Sequence, residues 1–490
     1  MQIVILFCKL RISFCGSSSR RGSHCTLLLA EAITRTDEPS ARPSSFTLAF
    51  GRRPAETLIR WKEKYGDTFT LRMAGQFFVV LNDIATARKL FQDDNVTGRD
   101  EYSLIRTENG PIPPGAGLVM SNHELWKTHR RFALSTLRDL GMGKNWLEDT
   151  IIAEVEALCQ VLRETQRKPF NPKVKLTNSV SNVICALIFG QRFELDDPRF
   201  TRLTAMIAED IASSSEEVLV KTLPFLMRFP NGRRSMIIRG RRNRESLIAF
   251  MREMIAGAEG SKDHYDVQDY LHAYQRERET GAKMADKATF DDIQLVASML
   301  DLFGAGTETT STTLLWAFLL ILESPDVQRK IQDEIDNNVG REKLLSNSDR
   351  GRKVSSPMPS NLIPIGGRVN HEEVTVDGYT IPKNTSIILN LFSVHRDPRY
   401  WKNPEQFDPT RFLDKNKKLI KPEGFAPFSV GKRACLGEAL AKMELFLFAA
   451  NLLRCFTLEL PPGKTISHQD YVSGVVHAPF PFELIFIPQI

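Results

Sequence analysis

The stretch Phe428-Ser-Val-Gly-Lys-Arg-Ala-Cys-Leu-Gly437 is the most informative segment of this 490-residue chain. It places Cys435 between two glycines and two residues after Arg433, and the apolar pattern that follows Gly437 predicts a long helix directly behind it. The positive end of that helix and the arginine both favour a thiolate. A thiolate held in this way suits the axial sulfur ligand of a haem. The alternative is a buried cysteine that serves as a small apolar side chain.

A second informative segment, Ala305-Gly-Thr-Glu-Thr-Thr310, lies inside the longest helical pattern, which runs from Phe290 to about Glu323. Thr289 and Asp292 resemble a capping box at its start. Threonine hydroxyls can bond back to the preceding turn and bend a helix. Small residues beside a hydroxyl and a carboxylate would leave room for a diatomic molecule and a proton path. The alternative is a contact between two helices through small residues.

A third pattern is the pair Trp126 and Arg130. Residues four apart share one face of a helix, so both side chains could reach a carboxylate of the same cofactor. Stacking of the arginine on the tryptophan at the protein surface is the alternative interpretation.

The composition is that of a globular protein, with 42% hydrophobic and 25% charged residues. It excludes a disordered chain, a collagen-like repeat and a polytopic membrane protein. The net charge of +6 is too small to indicate nucleic acid as a partner. Seven cysteines without regular spacing do not form a disulfide framework, which favours a reducing compartment.

The chain divides near Pro54. Residues 1–53 form an atypical leader and linker for which no packed structure is expected; their basic, serine-rich start suits a mitochondrial transit peptide or a poorly specified leader. From residue 54 to 490 helical patterns dominate, and strands are expected at 69–73, 77–81, 374–381 and 386–391. This predicts a mainly α fold with a small β-rich part.

Together these segments resemble the cytochrome P450 family of haem-thiolate monooxygenases, and within it the microsomal family-2 group. The resemblance covers about Pro54 to the carboxyl end. It is carried by the Cys435 stretch, by Gly437-Glu-Ala-Leu-Ala-Lys-Met-Glu-Leu445 behind it, and by the segment around Thr309. It implies the P450 fold, a single large helical unit with a small β-rich part.

The resemblance also implies roles for individual residues. Cys435 would be the metal ligand, bound to the iron of haem b (iron protoporphyrin IX). Thr309 and Glu308 would be the catalytic residues that deliver protons to bound dioxygen. The remaining cofactor-binding residues would contact the propionates, the sulfur side or the oxygen groove of the haem: Trp126, Arg130, Arg368, Arg433, Phe428, Ala305 and Gly306.

The activity implied by the resemblance is an NADPH- and O2-dependent insertion of one oxygen atom into a small apolar substrate of the xenobiotic, fatty acid or steroid type. NADPH-cytochrome P450 reductase would dock on a basic face (Lys127, Arg131, Arg138 and Lys432), with cytochrome b5 as a second partner. The cytosolic face of the endoplasmic reticulum is the implied location, with mitochondria as the alternative. The apolar stretch Leu223–Pro230 and the basic run behind it suit either peripheral membrane contact or a solvated face.

The sequence departs from the family pattern in two places. The family has a Glu-x-x-Arg helix that pairs with the arginine of a Pro-x-Arg-Phe element, here Pro409–Phe412. Residues 349–362 are too rich in proline, glycine and serine to form that helix, and the seam lies between Pro359 and Ser360. Arg411 is therefore expected to be buried without its carboxylate, at a cost of about 3–5 kcal/mol.

The second departure is the absence of the apolar anchor and proline-rich hinge with which the microsomal relatives begin. The two departures leave two other hypotheses open. The chain could be a truncated or mis-spliced isoform with impaired haem binding and no activity. It could also be a non-oxygenating isomerase or dehydratase of the same fold.

Overall fold

The computed structural model describes residues 29–31, 53–73, 76–99, 112–141, 145–222, 232–258, 269–281, 289–340, 343–352, 367–416 and 418–489. Three of the expectations above fall elsewhere in the chain and lie outside the described residues. These are most of the leader, the apolar stretch at 223–230 and the seam between Pro359 and Ser360.

Helices make up most of the described chain. The longest predicted helix matches its pattern closely, whereas the helices at 84–90, 198–222, 232–258 and 270–281 were not predicted. The helices are α1 (Pro54–Tyr65), α2 (Ile84–Leu90), α3 (His123–Asp139), α4 (Asn145–Glu164), α5 (Lys173–Phe189), α6 (Pro198–Thr222), α7 (Gly232–Ala258), α8 (Tyr270–Gly281), α9 (Asp292–Glu323), α10 (Pro325–Asn338), α11 (Leu391–Val394) and α12 (Glu438–Cys455). The expected mainly α fold is confirmed.

The strands are short and form one larger sheet and three hairpin-like pairs. They are β1 (Leu29–Glu31), β2 (Thr68–Met73), β3 (Gln76–Leu81), β4 (Gly98–Arg99), β5 (Arg368–Val369), β6 (Val374–Val376), β7 (Tyr379–Ile381), β8 (Ser386–Leu389), β9 (Phe456–Glu459), β10 (Tyr471–Val472), β11 (Ala478–Pro479) and β12 (Ile485–Pro488). The order in the larger sheet is β1-β2-β3-β8-β5-β4, in which only β3 and β8 run parallel. Strand β1 lies in the leader, and its residues pair with Thr70, Leu71 and Arg72 of β2.

The central helix α9 begins two residues later than the proposed capping box requires. Its N-cap is Asp291, whose carboxylate accepts a hydrogen bond from the backbone N–H of Gln294 at 2.7 Å. The Thr289–Asp292 assignment was therefore wrong. The Thr289 hydroxyl lies instead 3.3 Å from the imidazole of His129 in α3.

Helix α9 packs against α5 and α12 in the main hydrophobic core, and one buried carboxyl group joins two of these helices. Glu444 of α12 is 1% exposed and accepts a hydrogen bond from the Thr310 hydroxyl of α9 at 3.3 Å. Burial raises the pKa of Glu444 from 4.5 to about 8, because the single hydrogen bond from Thr310 opposes the loss of solvation only weakly. The carboxyl group is therefore neutral at pH 7.

Replacement Glu444→Gln should stabilise the protein at neutral pH. Between pH 4.5 and about 8 the unfolded chain loses this proton while the folded chain keeps it, so the free energy of unfolding of the wild type falls as pH rises. The glutamine has no proton to lose. Urea unfolding should show equal stabilities near pH 4 and an advantage of the variant that grows towards pH 8. A pH-independent difference would show that Glu444 is not held neutral by burial.

Candidate active site

The loop that carries Cys435 is fixed by backbone hydrogen bonds. The Cys435 N–H donates to the carbonyl of Phe428 at 3.0 Å, and the Ala434 N–H donates to that of Gly431 at 2.9 Å. The Lys432 N–H donates to the carbonyl of Phe91, at the end of α2, at 3.1 Å. The sulfur thus stands on a closed turn that is tied to a second element of the fold.

Gly431 is required by this turn. Its φ of +77° lies in the left-handed region, and a Cβ at this position would overlap the carbonyl oxygen of Phe91. Only a residue without a side chain can bring the two backbones this close. By contrast, Gly437 has a φ of −89° and nothing within 4 Å of a Cβ.

The Cys435 side chain is accessible to solvent, yet burial still dominates its titration. Burial and Glu438 raise the pKa of the thiol, while a hydrogen bond from the Gly437 N–H and the charge of Arg130 lower it. The Gly437 N–H at the helix end thus acts in the predicted direction. The charge that lowers the pKa is that of Arg130 rather than Arg433, and burial outweighs both for the free thiol. A bound metal ion would replace the proton of this thiol.

Three arginines hold the ends of this loop through backbone carbonyls. Arg130 of α3 donates to the carbonyl of Ala434, and Arg368 of β5 donates to that of Val430, both at 2.6 Å. Arg433 points the other way and donates to Thr97 at 2.8 Å and to Ser121. The guanidinium of Arg433 also lies 4.0 Å from the ring of Trp126. The predicted residues Trp126, Arg130, Arg368 and Arg433 are therefore neighbours in space.

A fourth arginine, which the sequence pattern did not indicate, joins them. Arg99 of β4 is the direct cross-strand partner of Arg368, and like charges directly opposite each other destabilise a sheet. Burial and mutual repulsion lower the pKa of Arg99 to about 10, of Arg368 to about 9 and of Arg433 to about 8. Within the described chain, Arg130, Arg368 and Arg433 have no carboxylate partner.

These groups fit a cofactor that carries carboxylates. Nη1 of Arg368 and Nε1 of Trp126 are buried donors without a partner in the described part of the protein. A buried donor that lacks an acceptor costs about 1–3 kcal/mol, and a buried charge costs more. An anion between these arginines would satisfy both the donors and the charge. A haem bound through Cys435 has two propionates of this kind, so the donor set fits a haem.

Helix α9 presents two of the predicted residues to solvent-accessible space. Ala305 is exposed, and Thr309, one turn later on the same face, is half-buried. The Thr309 hydroxyl donates to the carbonyl of Ala305 at 2.7 Å. The back-bonding expected from the threonines is therefore present at this position. Gly306 lies on another face, where a Cβ would meet Ile184 of α5 at 2.5 Å. That residue serves the helix–helix contact that the sequence left open as the alternative.

The two remaining predicted residues lie as follows. Glu308 approaches Lys173 of α5 and accepts a long hydrogen bond from Thr312 at 3.4 Å; burial raises its pKa. Phe428 is half-buried, with the ammonium of Lys442 at 5.4 Å from its ring.

The loop before α3 is positioned by two further residues of α9. Gln294 exchanges hydrogen bonds with the backbone of Gly117, at 2.8 and 3.1 Å. Asp301 accepts from the N–H groups of Leu118 and Val119, at 2.7 and 2.9 Å. No sequence signal identified these two residues, because polar side chains are common in long helices and most of them face solvent.

The expectation for Arg411 was wrong. The side chain is partly exposed rather than buried, and its Nη2 donates to the carbonyls of Lys402, Asn403 and Gln406 at 3.0–3.3 Å. Its charge remains hydrated and its donors are used. The energetic penalty assigned to a buried, unpaired Arg411 therefore does not apply.

The comparison with known proteins decides the family. The family model for Cytochrome P450 matches residues 44–352 and 360–486, and its second part begins at Ser360, on the carboxyl side of the seam. The chain belongs to the cytochrome P450 family. Mouse cytochrome P450 2J5 is 35% identical over 452 residues, covering 88% of this chain and 87% of that protein. Human cytochrome P450 2D6 is 35% identical over 445 residues, covering 87% and 88%.

A third relative comes from an insect. Drosophila melanogaster cytochrome P450 18a1 is 33% identical over 461 residues, covering 90% of this chain and 84% of that protein. As a member of this family, the chain is a haem-binding oxidoreductase of the monooxygenase type. Within the family it belongs to the microsomal family-2 group. The comparisons give no support to the inactive-isoform hypothesis. Across the described ranges, no helix combines the length and hydrophobicity that a membrane crossing needs.

The variant Gly431→Ala should lose haem and stability. The left-handed φ and the contact with Phe91 together should cost at least about 2 kcal/mol. The matched control is Gly437→Ala, which introduces no contact and should cost only the weaker N-cap preference of alanine, about 1 kcal/mol or less. Haem content and urea unfolding measure both. Equal effects of the two substitutions would refute the close approach as the reason for the glycine.

The variant Arg368→Gln should act differently on the haem-free and haem-loaded forms. The haem-free protein should change little in stability, because the loss of the hydrogen bond to Val430 is offset by the removal of one of several repelling charges. The loaded protein should release haem at least roughly tenfold faster, as expected when a charged hydrogen bond worth about 1.5–3 kcal/mol is lost. Arg88→Gln, at an exposed arginine, is the control. If Arg368→Gln destabilised both forms equally, the residue would be only structural.

Proposed function

We propose that this chain is an NADPH- and O2-dependent monooxygenase that inserts one oxygen atom into a small apolar organic substrate. The observation that carries the proposal is the convergence of Arg99, Arg130, Arg368 and Arg433 around the loop of Cys435. The buried donors suit a cofactor that carries two carboxylates. The accessible sulfur of Cys435 can bind the metal ion of such a cofactor. Membership of the family supports a haem among such cofactors, and haem b is the form proposed.

Each group has one task in this proposal. The haem, when bound, supplies the redox chemistry that activates dioxygen. Cys435 supplies the iron ligand, Trp126 and the arginines hold the propionates, and Gly431 brings the sulfur loop against Phe91. The turn around Gly431 and the Gly437 N–H fix the sulfur in place.

Thr309 holds a proton at the edge of the accessible space on α9. Its hydroxyl donates to the Ala305 carbonyl at 2.7 Å, so the lone pairs of its oxygen remain available to accept a hydrogen bond from a donor such as water. Rotation about χ1 would turn the O–H away from this carbonyl and towards the solvent-accessible side of α9. Burial raises the pKa of Glu308, so this carboxyl group can hold a proton and pass it on from the side of α9 that faces Lys173.

The proposal includes a reductase as the electron source and cytochrome b5 as a second partner, on a basic face. Of the four residues predicted for it, Lys127 pairs with Glu124 at 2.7 Å and Lys432 pairs with Asp94 at 2.6 Å. Arg131 and Arg138 carry the remaining charge of this face. The endoplasmic reticulum is the proposed location.

Isotope labelling tests the reaction class directly. The chain, reductase and NADPH should convert an apolar substrate under 18O2 into a product with one heavy oxygen. A product without heavy oxygen would contradict the monooxygenase, and a rearranged or dehydrated product of this kind would instead indicate the isomerase or dehydratase class.

The variant Thr309→Val should lower the amount of product formed per NADPH consumed, because it removes the hydroxyl and keeps the shape. The matched control is Thr313→Val, one turn further along α9, whose hydroxyl donates to the Thr309 carbonyl at 2.7 Å. We expect the ratio of product to NADPH to fall severalfold in Thr309→Val and to stay unchanged in Thr313→Val. Equal ratios in both would remove Thr309 from the proton path.

A further inference from the structure

Two cysteines far from the active-site loop lie side by side. Cys159 of α4 and Cys455, the last residue of α12, are close enough for their thiols to share a hydrogen bond, and both are free. Helices α4 and α12 pack directly against each other in the main core. The thiols are therefore held together by the packing of two long helices.

The pair is asymmetric in exposure. Cys159 is 2% exposed, whereas Cys455 is only half-buried and lies where α12 passes into β9. The backbone carbonyl of Cys455 accepts a hydrogen bond from the N–H of Gln489 at 2.9 Å, which fixes the position of this corner. A small reagent can reach Cys455, and Cys159 stands behind it.

The pair is also asymmetric in charge. Nη1 of Arg454 lies 4.0 Å from the sulfur of Cys455. Arg163, one turn after Cys159 on the same face of α4, lies 6.0 Å from the ring of Phe456. The hydrogen bond from Cys159 and the two arginines lower the pKa of Cys455, despite partial burial, while the pKa of Cys159 is raised. Two cations thus stabilise a thiolate on the accessible member of the pair.

We propose that Cys455 and Cys159 form a peroxide-sensitive dithiol that closes to a disulfide between α12 and α4. The Cys455 thiolate attacks one oxygen of hydrogen peroxide; the O–O bond breaks, hydroxide leaves, and a sulfenic acid forms. The sulfur of Cys159 then attacks that of Cys455, and the S–S bond forms as water leaves. In total, two thiols and one peroxide give one disulfide and two waters.

The order of the two steps follows from the asymmetry. The attacking thiolate must be accessible and stabilised, which describes Cys455. The resolving thiol needs only to be adjacent, which describes Cys159. Cys185 of α5 is a suitable contrast, since it is 0% exposed and full burial raises its pKa.

The test treats the haem-loaded full-length chain with hydrogen peroxide and maps disulfides by mass spectrometry of unreduced tryptic peptides. A peptide pair joining Cys159 and Cys455 should appear, and thiol reductant should reverse it. In Cys159→Ser, Cys455 should accumulate as a sulfenic acid that dimedone labels. In Cys455→Ser, dimedone labelling of Cys159 should be at least roughly tenfold slower. Cys185→Ser should behave as the wild type.

Two results would overturn the proposal. One is a treated wild-type chain in which both Cys159 and Cys455 remain free thiols while other cysteines are oxidised. The other is equal dimedone labelling of Cys159 and Cys455 in the two single variants, which would remove the assigned roles. Both readouts use peptide masses and not oxygenase activity, so they do not depend on the proposed function.

Discussion

Arginine side chains that bind backbone carbonyls hold the loop of Cys435 in place. Arg130 binds Ala434, Arg368 binds Val430, and Arg433 ties the loop to the segment before α3. Helix α3, strand β5 and the loop are joined in this way although they are far apart in sequence. Every other feature of the site depends on this junction, because it fixes the sulfur relative to the unpartnered donors of Arg368 and Trp126.

The same junction concentrates positive charge that the described chain does not neutralise with carboxylates. Mutual repulsion and burial lower the pKa values of Arg99, Arg368 and Arg433 together. A site of this kind is completed by an anionic ligand, and its stability should rise with ligand binding. Arg411 is accommodated differently: its side chain is partly exposed and its Nη2 donates to backbone carbonyls.

Much of this could be predicted from the sequence. Hydrophobic periodicity located α9 and α12 within a few residues, and the Cys435 and Thr309 segments indicated the family. The periodicity did not locate α6 and α7, where apolar residues are mixed with a basic run. Arg99 could not be found, because its role arises only from cross-strand pairing with Arg368. Which neighbour Gly306 faces, here Ile184 of α5, depends on how α9 is rotated about its own axis. The spacing of residues in the sequence does not determine that rotation. The titration of Cys435 depends on burial, which the helix dipole alone does not reveal.

The central claim is that Cys435 binds haem as a thiolate in this chain, without the Glu-x-x-Arg helix. A reduced carbon monoxide difference spectrum of the full-length chain tests it most directly. We expect the red-shifted Soret band of a thiolate-bound haem and its loss in Cys435→Ser. A wild-type spectrum with no such band, or a band that persists in Cys435→Ser, would contradict the claim.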